Sequence, residues 1–418
     1  MKISADRLKK LIGEPLIFLK WVAFACIIGV VVGFVSIGFY YAFSLVTRLR
    51  LNNGWLLYLL PVGGVAIVLL YRIFDMEKDR GTNFVLAAVR ENSALPLRTA
   101  PLVFVATLIT HLFGGSAGRE GAILQIGGSI SSSVGRWMHL DGNDSRIITM
   151  CGMSAAFAAL FGTPLTAAVF AMEVISVGVM YYAALVPCVL SAIVSVMLAR
   201  LCGVAPTAFV LSGIPAFSAF VLLKVIVMGI LCAVLSIVFC RLMHLAPTFY
   251  DKYLPDPVKR AFVGGAIIIA LSLLVGTRDY NGSGGTVIAA ALSGSAHPEA
   301  FLLKIIFTAI TLGAGFKGGE IVPVFFTGAT FGCAVSPLLG LSPAFGAALG
   351  LVSVFCGVTN CPLTSMLLAL ELFGGQQMPL FALCVAVSYM LSGYYSLYSE
   401  QKIVYSKLKP VFIDKKAK

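Results

Sequence analysis

Apolar runs dominate the pattern of this chain. Trp21 to Thr47, Thr99 to Gly118 (counting His111 as neutral), Ile147 to Met172, Val174 to Ala199, Val225 to Cys240 and Ala261 to Thr277 carry no formal charge. From Ile321 to Ser399 the sole charged residue is Glu371. Several runs exceed the roughly 20 apolar residues that cross a bilayer, so the pattern predicts an all-α, polytopic membrane protein with ten or more membrane segments. Some runs are also too long for one helix. Ile321 to Leu370 would extend about 75 Å as a single helix, which predicts breaks near Pro337 to Gly340, at Pro343 and between Gly357 and Pro362. Residues 3 to 20 read as an amphipathic surface helix ahead of the first span.

Composition agrees with a membrane environment: 59% of residues are hydrophobic and 11% charged, with a mean hydropathy of +0.97. Residues 1–418 therefore form one integral membrane domain with no room for a large soluble one. The net charge of +12 would suggest nucleic acid in a soluble protein, but here the basic residues lie at the ends and in loops, beside lipid headgroups. Nucleic acid is not expected as a partner. Lys2, Arg7, Lys9, Lys10 and Lys20 precede the first span, and 400–418 forms a short basic tail. By the positive-inside rule both termini face the cytoplasm of a multi-pass inner (plasma) membrane protein. Ten cysteines and four histidines are scattered without ligand spacing, and no cofactor or metal is expected.

The chain also repeats itself. Pro164-Leu165-Thr166 stands nine residues before Glu173, and Pro362-Leu363-Thr364 nine before Glu371. Further upstream, Gly118-Arg119-Glu120-Gly121 corresponds to Lys317-Gly318-Gly319-Glu320-Ile321. Two repeats, 21–200 and 217–399, share this order, as in transporters that bind substrate between pseudo-symmetric halves. An ionisable side chain inside a bilayer is costly enough to mark a functional site. Glu120 is the sharpest candidate: beside a glycine-rich helix start it can hold an anion's place when ionised and leave when protonated. Glu320 has a similar context. Glu173 and Glu371 read better as structural carboxylates capping a helix or pairing with a loop base. Gly114-Gly115-Ser116-Ala117-Gly118 matches the serine-hydrolase elbow, which leaves an intramembrane serine hydrolase as a remote alternative, since His111 is too close in sequence to be a persuasive base.

With Gly118-Arg119-Glu120-Gly121, then Gln125-Ile126-Gly127-Gly128 and the duplicated Pro-Leu-Thr, the chain resembles the CLC family of anion channels and proton-coupled anion antiporters over nearly its whole length. The resemblance implies a CLC-like inverted-repeat transporter fold with broken helices, a homodimer, and one anion pathway per subunit. It puts Glu120 on the family's gating and proton-transfer glutamate. It also implies an anion pathway through Gly118, Arg119, Gly121 and Ala122, through Gly319, Glu320, Ile321 and Val322, and past the hydroxyl of Tyr398. Gly81, Thr82 and Asn83 stand near the family's usual Gly-Ser-Gly-Ile-Pro, so the serine that contacts the central chloride is missing. Val174 replaces the internal proton glutamate of chloride/proton exchangers. These departures, with Glu320, resemble the fluoride-exporting branch, although Val322 stands where that branch often has threonine. The expected activity is export of F− in exchange for H+. The alternative is a chloride channel or chloride/proton antiporter.

Overall fold

The structure, a computed structural model, describes residues 5–77 and 81–418, with side chains from Glu14 onward. The first half holds α1 (Ala5–Asn52), α2 (Leu60–Ile73), α3 (Thr82–Glu91), α4 (Thr99–Leu112), α5 (Glu120–Trp137), α6 (Gly142–Phe161), α7 (Pro164–Glu173), strand β1 (Ser176–Val177) and α8 (Leu185–Leu201). The second holds α9 (Ala219–Tyr253), α10 (Pro257–Val275), α11 (Gly285–Leu292), α12 (Ala300–Gly313), α13 (Ile321–Val335), α14 (Pro343–Thr359), α15 (Pro362–Phe373) and α16 (Met378–Leu391), followed by β2 (Lys402–Tyr405) and β3 (Phe412–Lys416). The predicted breaks fall where the local chemistry demands them. After α13 the chain turns through left-handed Gly340, α14 begins at Pro343, and left-handed Asn360 separates it from α15, which begins at Pro362. Proline suits a first turn, where its missing N–H would have had no partner.

One expectation changes. From Ala5 onward the surface helix expected at 3–20 is no separate element, because α1 continues through Pro15 without interruption, while residues 3 and 4 lie outside the described residues. Among the described residues six helices are long and apolar enough to cross a membrane by themselves, and six shorter helices are apolar as well. Apart from the six long ones, the helices have 8–17 residues or are more polar, and several are buried inside the protein, as α14 is. Backbone ends at membrane depth are tolerable there because protein surrounds them.

Helix directions reveal an inverted relation between the halves. Gly29 of α1 abuts Ser191 and Val194 of α8, and Tyr41 donates to the Cys202 carbonyl oxygen, so the two helices run parallel. Likewise Gly229 of α9 abuts Val387 of α16, and Arg241 donates to Tyr395. Arg278, just beyond α10, touches Gly54, just beyond α1. Both therefore end on one face, the far face. The start of α10 and the end of α9 lie on the opposite, terminal face, so α9 and α16 run against α1 and α8. Glycines let the central pairs approach: Gly127 meets Gly152 between α5 and α6, while Gly328 and Gly332 meet Gly350 and Gly346 between α13 and α14. Close backbone approach at small residues is how helices pack without a hydrophobic drive between them.

Glu173 and Glu371 bind the halves reciprocally. Glu173, at the end of α7, accepts the N–H groups of Leu363 (3.1 Å) and Thr364 (2.8 Å) and the Thr364 hydroxyl (2.6 Å) at the start of α15. Glu371, near the end of α15, accepts the N–H groups of Leu165 and Thr166 at the start of α7, both at 2.9 Å. Each carboxylate satisfies donors that have no partner within their own helix and meets the positive end of its dipole. The caps cross between repeats, where the sequence suggests a nearby helix. Glu173→Gln keeps the shape but exchanges an acceptor oxygen for a donor facing N–H groups. It should lower stability by about 1–3 kcal/mol, seen as an earlier melt of the detergent-solubilised protein. An unchanged melt would remove this role.

The short basic tail at 400–418 carries two strands. Strand β2 pairs in parallel with β1 (Ser176 with Lys402) and antiparallel with β3 (Lys402 with Lys416, Tyr405 with Phe412). This small sheet, absent from the all-α expectation, is clasped by Glu400, which pairs with Lys416 at 2.8 Å and Arg90 at 2.9 Å. Those hydrogen bonds, Lys416's foremost, hold the Glu400 carboxyl below the usual carboxylate range.

Candidate functional site

The two glycine-flanked glutamate motifs meet at the centre of the fold. Gly118 and Gly319 exchange backbone hydrogen bonds, Gly118 N–H to Gly319 O at 2.6 Å and Gly319 N–H to Gly118 O at 2.8 Å. This antiparallel bridge brings the starts of α5 and α13 together, so two positive dipole ends and their free N–H groups converge. Glycine is required on both sides of the bridge. A Cβ at Gly319 would lie 2.5 Å from the Gly121 nitrogen and 3.0 Å from the Glu120 nitrogen, covering those donors. One at Gly118 would strike the Glu120 carboxylate.

Glu120 is wholly buried. Its Oε2 accepts the N–H of Arg119 at 3.0 Å and, across the bridge, the N–H of Val322 at 3.2 Å. Oε1 has no hydrogen-bond partner, and Arg119 Nε stands 4.0 Å from it. The carboxylate thus occupies an anion position built by backbone donors of both halves. The Arg119 guanidinium stacks on Tyr40 and Phe43, 5.6 and 5.1 Å from the ring centres, which directs its charge toward the far face.

The remaining sequence-derived candidates divide. Glu320, at the cap position of α13, faces Gly121 and lies within electrostatic reach of Glu120. Thr82 also turns its hydroxyl to Gly121. Tyr398 is buried, its hydroxyl makes no hydrogen bond, and Glu320 and Glu120 are within its electrostatic reach. Ala122 and Ile321 are buried apolar neighbours, while Val322 supplies its N–H and no hydroxyl. Gly81 takes a left-handed backbone (φ 63°) just before α3. Asn83 departs from the group: its Oδ1 accepts the Glu400 N–H at 3.1 Å, joining α3 to the C-terminal segment.

Two cavities of about 520 Å³ approach this centre from opposite faces. Gly81, Gln125, Gly318 and Glu320 line the one on the terminal face, whereas Arg48, Arg119, Ser283, Val322 and Phe325 line the other. Their linings share no residue. Glu120 contributes to neither, yet its two N–H donors, Arg119 and Val322, line the far cavity, and Glu320, facing Gly121, lines the other. Its carboxylate therefore stands among residues that line one cavity or the other.

One buried charge escaped the sequence reading. Lys304, in the middle of α12, is wholly buried and donates to the carbonyl oxygens of Tyr280 (3.1 Å) and Gly282 (2.7 Å). That loop in turn holds the turn before α5, through Asn281 Nδ2 to Gly114 O at 2.9 Å and Gly282 N–H to Gly115 O at 3.1 Å. Its signal in the sequence is one lysine inside an otherwise apolar helix. The hydrolase alternative, by contrast, loses its geometry. His111 Nε2 lies 3.1 Å from Gly118 O, and Ser116 Oγ pairs with Thr308 Oγ1 at 3.1 Å, so neither is bonded to the other.

Residues 62–393 match the family described as voltage gated chloride channel. The chain belongs to the CLC family. A chloride/fluoride channel protein from Pseudomonas syringae pv. tomato is 35% identical over 395 residues, covering 93% of this chain and 87% of its own. The crystal structure of a CLC-type fluoride/proton antiporter superposes with a TM-score of 0.89 at 30% identity, covering 96% of this chain and 99% of its own. A slow cyanobacterial Cl−/H+ antiporter shares the fold at 21% identity, with a TM-score of 0.76 over 89% of this chain and 94% of its own. CLC proteins are channels and transporters, and this one is a membrane protein of that kind, not an enzyme.

Proposed function

We propose that this CLC protein is a proton-coupled antiporter that exports F− in exchange for H+, as a homodimer in the bacterial plasma membrane with both termini in the cytoplasm. The observation that carries the reading is the Glu120 carboxylate, bonded to N–H groups from both halves and set among residues that line one or the other cavity. Ionised, Glu120 holds the anion's place and closes the path. Protonated, it loses the charge that the converging N–H groups favour and gives way to an anion. One group thus gates the pathway and carries the proton.

Fluoride is small and strongly hydrated, so its path must replace water with many donors. The N–H groups of Arg119, Gly121 and Val322 and the hydroxyls of Thr82 and Tyr398 are of the right kind. Glu320 adds a second carboxyl near Glu120. Two similar proteins, one described as a chloride/fluoride channel protein and the other as a fluoride/proton antiporter, support the anion and the coupling. The test is efflux from proteoliposomes with ion-selective electrodes. Fluoride should leave much faster than chloride, and an imposed pH gradient should drive it uphill. Chloride moving as fast as fluoride would leave a chloride carrier of the same family, and fluoride flux indifferent to the pH gradient would leave a channel.

A further inference from the structure

Tyr398 presents a buried hydroxyl that no protein group accepts from or donates to. A hydroxyl kept free for a passing anion cannot be located by a bond at its tip, so its position must be set from the backbone end. A tilt of about 10° at the Cα displaces the tip by roughly 1 Å, beyond the tolerance of about 0.5 Å for a binding constellation.

The backbone of Tyr398 is gripped on both sides by a buried polar network centred on Gln401. The Gln401 side chain is wholly buried and uses both ends. Its Nε2 donates to Val174 O (2.9 Å), just past α7, and to Thr359 O (2.8 Å), the last residue of α14. Its Oε1 accepts from Asn360 Nδ2 and from Ser396 Oγ, both at 2.9 Å. Ser396 Oγ in turn accepts the Tyr398 N–H at 3.1 Å, while the Gln401 N–H donates to Tyr398 O at 3.0 Å. A glutamine amide offers two donors and two acceptor sites, and here all four are taken. Fully satisfied buried networks rigidify what they hold. We infer that Gln401 is a positioning residue for anion transport: it registers Tyr398 against helix ends from both halves, so that the free hydroxyl points at the pathway beside Glu120 and Glu320.

This inference rests on the proposal that Tyr398 serves the anion, and the test separates the two. Fluoride flux and the fluoride-to-chloride flux ratio are measured in proteoliposomes for Tyr398→Phe, Gln401→Met, their double variant and Ser396→Ala. Methionine matches glutamine in length and makes none of its four bonds. Gln401→Met should lower the ratio about fivefold, the scale of one lost hydrogen bond, to near that of Tyr398→Phe. The double variant should be no lower than Tyr398→Phe alone. Ser396→Ala leaves the bonds to Val174 and Thr359 intact and should shift the ratio in the same direction, which decides the matter if Gln401→Met does not fold. Tyr398→Phe altered with both Gln401→Met and Ser396→Ala unaltered would overturn the inference, as would losses that multiply in the double variant. An unaltered Tyr398→Phe would instead overturn the assignment of Tyr398 itself.

Discussion

Glu120→Gln should abolish proton movement linked to fluoride while leaving the protein folded. The amide is isosteric with the carboxyl, and its oxygen can still accept the N–H groups of Arg119 and Val322 that hold Glu120 at 3.0 and 3.2 Å. It cannot ionise, so it neither competes as an anion nor delivers a proton. Removing a positioned proton-transfer group costs about a hundredfold or more in rate, and loss on that scale is expected in the pH change that accompanies fluoride efflux. Any fluoride flux that remains should ignore an imposed pH gradient. Paired pH and fluoride electrodes on the same liposomes measure both. Coupling retained in Glu120→Gln would transfer the proton to another group and end the proposed mechanism.

Gly319→Ala should reduce fluoride flux at least about tenfold, an effect that comes from occupying space. Gly319 does not have a positive φ, so alanine suits its backbone. The added Cβ would, however, lie 2.5 Å from the Gly121 nitrogen and 3.0 Å from the Glu120 nitrogen. Either it covers the donors of α5 or the bridge to Gly118 opens. Overpacking of this kind costs typically about 1–3 kcal/mol, less than a whole membrane protein has to lose, so a folded protein with a blocked site is the expected product. Gly38→Ala is the control, because nothing lies within 4 Å of a Cβ there. Wild-type flux through Gly319→Ala would mean that the donors at the start of α5 are not part of the anion path.

Much of the helical framework was legible because its signals are local. The breaks around Pro343 and Pro362 follow from proline's missing N–H and fixed φ, properties that act on the adjoining turn alone. Glu120 was legible as an ionisable residue in apolar sequence, where its cost announces it. Less was visible where a side chain's partner lies far along the chain. Asn83 reads as part of a pathway loop, yet its oxygen is committed to Glu400, 317 residues away. Lys304 went unread because its carbonyl partners, Tyr280 and Gly282, lie 24 and 22 residues away. The C-terminal sheet was invisible because β1 is only two residues long and has meaning only beside β2.

By itself, then, the sequence determined that this is a membrane protein of two related halves, each with a carboxylate in glycine and a Pro-Leu-Thr helix that ends near a second carboxylate. Hydropathy, helix starts and helix stops are properties of neighbouring residues, and they survive without a fold. Only the tertiary structure decided that Gly118 and Gly319 bridge, that Glu173 and Glu371 each cap the other half, and that Glu120 accepts an N–H from Val322. The reason is one of distance along the chain: about 200 residues separate the partners in each case, so no local preference encodes the contact. It forms only when two oppositely directed halves pack and the unpaired donors at one helix start find the carboxylate of the other half.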